Sequence, residues 1–311
     1  MGLISRCAVI PVDMMLRLGI VDFDSSHSIE FTRRINQVGV TRDQWVEGAR
    51  VVAAWSGDSR MAPERIAVFR PLVEACGVQF VESPEELLDQ IDAVLILSLS
   101  GERHWERARP FLQAGMPTYV DKPFACSVAD AEQMVALAEE SGTFLFSSSG
   151  LRFTDEVLHF QQQKQYGDLL GCLSYGPAKR AEGNPGLFHY GIHATELLFT
   201  LMGTGCVEVS TQYQTDCEVV TARWQDGRLA TLRGNRTGST AYGFVAFCEA
   251  GVLPVSVSTR SAYRNLCQQI IHGFQTKTTP VPPTTTLEIV RFINASLKSE
   301  QQEGKLIPLV A

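Results

Sequence analysis

Across residues 16–147 short apolar runs alternate with segments of helical spacing, and this alternation constrains the fold more than any other feature. Residues 16–23 read as a strand, and residues 26–37 as a helix with Ile29, Phe31 and Ile35 as packing residues. Strands are expected at 51–55, 79–81, 93–97, 118–120 and 143–147, and helices at 64–76, 84–88, 104–114 and 128–140. The run Ala93-Val94-Leu95-Ile96-Leu97 is continuously apolar, the mark of a strand buried on both faces. Such alternation builds a parallel sheet with helices on both sides. The second half changes character. A helix over 189–202 precedes strand-like segments at 206–213, 219–224, 228–233, 244–249 and 252–258. Asp226-Gly227 is a type I′ hairpin signal between two of them. The pattern predicts an antiparallel sheet with one covered face. Pro280, Pro282 and Pro283 stiffen the connection to a last helix over 287–300. The domain boundary falls between Pro123 and Arg152, which gives domains of 1–149 and 150–311.

Composition narrows the class. With 311 residues, 45% of them hydrophobic and 20% charged, the chain has the length for two domains and the apolar content for full cores. The net charge of −7 opposes binding to phosphate backbones, so no nucleic-acid partner is expected. No apolar run approaches the ~18 residues of a membrane span. The eight cysteines form no C-x-x-C and read as free, mostly buried thiols of a reducing compartment. Residues 1–22 lack the pattern of a signal peptide, and Arg6 breaks the myristoylation motif that Met1-Gly2 opens. A cytoplasmic protein is therefore expected, with Met14 or Met15 as an alternative start. The sequons at Asn235 and Asn294 read as chance matches.

Four segments carry candidate chemistry. The first strand runs into Asp22-Phe23-Asp24-Ser25-Ser26-His27, where a dinucleotide-binding fold seats its pyrophosphate on the free N–H groups of the first helix. The usual G-x-G-x-x-G is absent, with Asp22, Asp24 and Ser26 near the glycine positions. Carboxylates there are unfavourable unless they point away or cap the helix. A plain helix cap at Asp24 or Ser25 is the alternative reading. The second strand ends in Trp55-Ser56-Gly57-Asp58-Ser59-Arg60. Asp58 suits a ribose 2′-hydroxyl, whereas Ser56, Ser59 and Arg60 suit a 2′-phosphate, and an ordinary polar turn explains them equally. In Asp121-Lys122-Pro123 the lysine ends a buried strand, at the crevice where such folds bind ligands. On spacing alone a solvated surface lysine is the favoured reading. Finally, His189, His193 and Glu196 stand at i, i+4 and i+7, along one face of a helix. Two imidazoles there serve as an acid–base pair, as metal ligands with Glu196, or as satisfied structural histidines. The lack of H-E-x-x-H argues against metal.

Taken in order, these motifs resemble the glucose–fructose oxidoreductase/inositol dehydrogenase (Gfo/Idh/MocA) family. The resemblance rests on Asp92-Ala93-Val94-Leu95-Ile96 with Ser98 to His104, on the segment from Phe111 to Pro123, on Gly150-Leu151-Arg152-Phe153, on the stretch from Gly186 to Leu198, and on the tail from Thr285 to Leu309. It implies an α/β fold: an N-terminal Rossmann doubly wound parallel sheet and a C-terminal α/β domain with a large open, mainly antiparallel sheet. The last helix is expected to pack back on the first domain.

The resemblance further implies NAD or NADP as cofactor. The reaction is hydride transfer to or from a hydroxyl carbon of a sugar, cyclitol or related polyol. Alternatives are NAD-dependent glycoside cleavage by transient oxidation, or a non-catalytic ligand-binding homologue. Lys122 and His193 carry over as catalytic residues, with His189 in place of the family's aspartate. Asp121 replaces the motif glutamate. Arg152, with Lys122, His189 and His193, is expected at the substrate. The expected cofactor set is Asp22, Phe23, Asp24, Ser25, Ser26, His27, Ser56, Ser98, Ser100, His104 and Asp121, with no metal. A homo-oligomer, dimer or tetramer, is expected through the C-terminal sheet.

Overall fold

A computed structural model describes residues 15–309. The readings on Met1-Gly2, Arg6, Cys7 and Met14 lie outside these residues.

Six parallel strands form the first sheet: β1 (Leu16–Val21), β2 (Ala49–Trp55), β3 (Gln79–Val81), β4 (Ala93–Ile96), β5 (Thr118–Val120) and β6 (Leu145–Phe146). Their order is β3-β2-β1-β4-β5-β6, that of a Rossmann fold. All four residues of β4 have 0% exposure, as expected of a continuously apolar strand flanked on both faces. The crossovers carry α1 (His27–Ile35), α2 (Pro63–Glu74), α3 (His104–Gln113) and α4 (Val128–Glu140). Ser127 caps α4 by accepting the Asp130 N–H. The expected helix at 84–88 is a single 3₁₀ turn, Pro84–Leu87.

The chain then passes through α5 (Asp155–Gln161) into β7 (Leu169–Pro177) and α6 (Gly191–Met202). Five strands follow: β8 (Cys206–Gln214), β9 (Cys217–Trp224), β10 (Leu229–Asn235), β11 (Tyr242–Cys248) and β12 (Gly251–Val257). Next come α7 (Ala262–Thr276), α8 (Pro283–Gln301) and β13 (Ile307–Pro308). The second sheet runs β12-β11-β7-β10-β9-β8-β13 and is antiparallel except where β7 lies parallel to β10. Helices α6 and α8 pack against one of its faces.

Three further details differ from the sequence reading. The hairpin at Asp226-Gly227 forms, but not as type I′. Gly227 donates its N–H to Trp224 O at 2.9 Å, and Gly227 (φ +88°) rather than Asp226 takes the left-handed conformation. That is a type I turn closed by a left-handed glycine. Helix α6 begins at Gly191, so His189 (φ −74°, ψ −85°) precedes it and shares no helical face with His193. Two helices, not one, return to the first domain. Leu266, Ile270 and Phe274 of α7 join the core beneath β1, while Ile289, Phe292 and Ile293 of α8 join the core shared by α3, α4 and the second sheet. The seven cysteines among the described residues form no disulfide. No helix among those residues is long and apolar enough to cross a membrane.

Candidate active site

The strand order reverses between β1 and β4, and the crevice beyond their carboxyl ends is where such sheets bind ligands. A cleft of about 430 Å³ opens there. Its first-domain wall includes Ser25, Ser26, His27, Arg65, Leu99 and Lys122. The second-domain wall includes His189, His193, Tyr242 and Tyr263.

The loop after β1 explains how a chain without the glycine motif keeps a crevice. Counted from Asp22, the G-x-G-x-x-G spacing reaches Asp24 and then His27, not Ser26. Asp22 adopts the left-handed conformation (φ +70°) that a glycine would supply. Its carboxylate turns inward and accepts hydrogen bonds from Ser98 Oγ and from Arg107 Nε at 3.0 Å. Gly57 covers it so closely that a Cβ there would overlap Asp22 Oδ1. Burial outweighs Arg107 and Ser98 and pushes the Asp22 carboxyl up to about 6. Asp24 also faces away from the cleft, accepting from Ser59 Oγ at 2.6 Å and from Leu99 N at 2.8 Å.

Neither carboxylate therefore opposes an anion at the start of α1. The backbone N–H groups of Ser25 and Ser26 have no acceptor among the described residues, and Arg65 reaches the same loop through Asp24 O at 3.3 Å. Unpartnered N–H groups, a helix start and a cation fit the phosphates of a dinucleotide.

Other residues expected at the cofactor are committed elsewhere. Phe23 is fully buried, its ring 5.0 Å from that of Phe80. His104 is fully buried between backbone carbonyls, with Nδ1 2.8 Å from Pro123 O and Nε2 2.9 Å from Ser98 O. It pins the β4 loop to the turn after β5. Ser98 serves Asp22, and Ser100 Oγ donates to Gly183 O at 3.0 Å. Ser56 Oγ accepts from Arg70 at 3.3 Å. Asp58 pairs with Arg103 and Arg107. That charge network was not legible from the sequence because its members lie on separate loops and α3.

Lys122 follows β5 and lines the cleft, and the Lys122–Pro123 peptide bond is cis. Asp121 is buried, with Oδ2 2.6 Å from His27 Nδ1 and Oδ1 accepting from Tyr119 OH at 3.3 Å. Burial opposes its ionisation, but His27 and Lys122 hold the carboxyl well below the usual range. His193 Nδ1 lies 2.7 Å from Ser149 Oγ. Burial, then the nearby Lys122 and His27, push His193 well down. His189 is pushed down to about 4 by burial, Lys122 and Arg65. Burial pushes Tyr263 up to about 12, so its phenol stays a hydrogen-bond donor. Arg152 does not line the cleft. It lies beneath it, its Nε 2.6 Å from Glu196 Oε2, and this buried pair removes Glu196 from the cleft as well. Among the described residues no group of three His, Cys, Asp or Glu side chains is placed to hold a metal ion.

Comparisons with known proteins agree with this geometry. Residues 31–148 match the Gfo/Idh/MocA family model, described as an oxidoreductase family with an NAD-binding Rossmann fold. The match covers less than half of the chain, and the first domain is similar to the NAD-binding domain of that family. YceM of Salmonella typhimurium, named as an oxidoreductase, is 30% identical over 115 residues, 37% of each chain. YhhX of Escherichia coli, also named as an oxidoreductase, is 26% identical over 140 residues, 40% of each chain. These matches thus span about two fifths of the relatives' length. The whole fold is similar to that of apo scyllo-inositol dehydrogenase from Lactobacillus casei, with a TM-score of 0.79 at 16% identity over 97% of this chain and 100% of the other. GenD2 from gentamicin A biosynthesis, solved with NAD, gives 0.78 at 15% identity over the full length of both.

Proposed function

We propose that the chain is an NAD(P)-dependent oxidoreductase acting on a hydroxyl carbon of a sugar, cyclitol or related polyol. The observation that supports it is one cleft at the strand-order reversal, holding the phosphate-ready start of α1 together with Lys122, His189 and His193. Ser25, Ser26 and Arg65 hold the dinucleotide's phosphates. The bound nicotinamide supplies the hydride acceptor or donor. The Lys122 ammonium stabilises the negative charge that develops on the reacting oxygen. An imidazole of the cleft handles the hydroxyl proton, and His193 occupies the family's position for it. Tyr190, Tyr242, Tyr263 and Thr259 line the same cleft and offer hydroxyl partners for a polyol rather than an apolar ligand. The reading of NAD as cofactor is supported by the family and by GenD2 and L. casei scyllo-inositol dehydrogenase, the latter solved with NAD(H) and scyllo-inositol.

The outer face of the second sheet supports a homo-oligomer. Val252, Phe247 and Leu229 are 60%, 44% and 66% exposed, and register sets them in one row with Gly171. Such an apolar row calls for cover. The test of the functional reading is NAD(H) binding by fluorescence, followed by NADH formation from NAD⁺ with myo-inositol, scyllo-inositol and D-glucose. Binding with polyol-dependent NADH formation is expected, and absence of binding would overturn the reading.

A further inference from the structure

Three imidazoles line the cleft, those of His27, His189 and His193, and they differ in what holds them. His189 has only a 3.4 Å approach to Asn184 Nδ2. His193 rests on a serine hydroxyl, which donates or accepts and so leaves the ring tautomer open. His27 alone is held by a carboxylate. Its side chain is 93% buried, and Nδ1 meets Asp121 Oδ2 at 2.6 Å. A carboxylate accepts only, so in the neutral ring Nδ1 carries the proton and Nε2 is the nitrogen left to accept one. Nε2 has no hydrogen-bond partner among the described residues. The ring is fixed by Phe31, stacked at 4.9 Å, and by Tyr263, edge-on at 5.0 Å. The same chain that carries His189 in place of the motif aspartate thus has an acid–imidazole pair across the cleft, with Lys122 next in sequence to its acid.

We infer that His27, oriented by Asp121, is the proton acceptor of the reaction, and that His193 serves as a hydrogen-bond partner of the substrate. The inference rests on the oxidoreductase reading above. In the oxidative direction the substrate O–H bond breaks and its proton passes to His27 Nε2. The C–H electron pair leaves as hydride to NAD⁺, and the carbon–oxygen double bond forms. The imidazolium, balanced by Asp121, then releases the proton to solvent. His27 is a catalytic residue in this scheme and Asp121 a positioning residue.

The test compares full-length wild type with H27N, D121N and H193N. NADH titration by fluorescence reads cofactor binding. NADH formation with myo-inositol, scyllo-inositol and D-glucose reads turnover, and nitrogen NMR of ¹⁵N-histidine-labelled protein reads tautomers. H27N and D121N should bind NADH with near wild-type affinity while kcat falls about 100-fold to 10,000-fold, the range for loss of a general base. H193N should raise KM more than it lowers kcat. His27 should show a protonated Nδ1 in wild type and a mixed tautomer in D121N. An Nε2-protonated His27 in wild type would overturn the inference whatever the substrate. So would a kcat that survives H27N and is lost in H193N. Failure of wild type to bind NADH would instead remove the oxidoreductase reading beneath it.

Discussion

At the scale of single residues, the loop after β1 shows that a backbone conformation and a side-chain identity are separable requirements. Asp22 keeps a glycine-like φ of +70° because its carboxylate is tied inward, to Ser98 and Arg107, under a glycine that leaves room for it. The strain of a left-handed non-glycine residue, about 1–2 kcal/mol, is offset by those bonds. Burial has its own consequence. A carboxyl whose pKa rises from 3.8 to about 6 on folding binds its proton more tightly in the native state. Its stabilising contribution is full at low pH and is lost as pH rises through about 6. Measured against Asp22→Asn across pH 4 to 7, wild-type stability should therefore fall, by up to about 3 kcal/mol. Chemical denaturation of both proteins at each pH checks this. A constant difference would show that Arg107 compensates the charge in full.

At the scale of elements, the sequence was most legible where hydrophobic period and length agree. β3, β5 and α4 fall at the expected residues: β5 and α4 bury a simple apolar pattern, and β3 is a short, half-exposed strand at the sheet edge. β7 was missed, although it is central to the second sheet. Its sequence, LLGCLSYGP, has two glycines and no alternation. Gly171 is there because Leu229 O of the parallel neighbour lies where a Cβ would project. Close backbone approach is a tertiary fact that no single strand announces. Helix α7 was missed too. Its packing surface is legible only beside the core it completes, where Leu266, Ile270, Ile271 and Phe274 are all at most 3% exposed. Among the site residues, Lys122 and the two later histidines were legible from motif order. The pairing of His27 with Asp121 was not, since 94 residues separate them. The α7 contact is open to measurement. Phe274→Ala should destabilise the protein by about 3–5 kcal/mol through loss of buried area and the cavity left behind. Denaturant titration checks it, and a loss under about 1 kcal/mol would contradict the packing described.

At the scale of the whole molecule, two sheets divide the labour and two helices bind them together. The parallel sheet offers a crevice at its carboxyl edge. The second domain closes the crevice from the other side with His189, His193 of α6 and Tyr242 of β11, while α7 and α8 return to the first domain's core. The opposite face of the second sheet is left with the Val252, Phe247 and Leu229 row. If copies of the chain meet there, Val252→Glu should shift the mass seen by light scattering toward the monomer, because a carboxylate would be buried without a partner. An unchanged mass would place the contact elsewhere. The central claim is that a loop reading Asp22-Phe23-Asp24-Ser25-Ser26-His27 still seats a dinucleotide, its acids turned inward and its Ser25 and Ser26 N–H groups without an acceptor among the described residues. Calorimetric titration of the full-length chain with NADH tests it most directly. Saturable binding that Arg65→Ala weakens is the predicted result, and a titration with no binding heat and no change in nicotinamide fluorescence would contradict it.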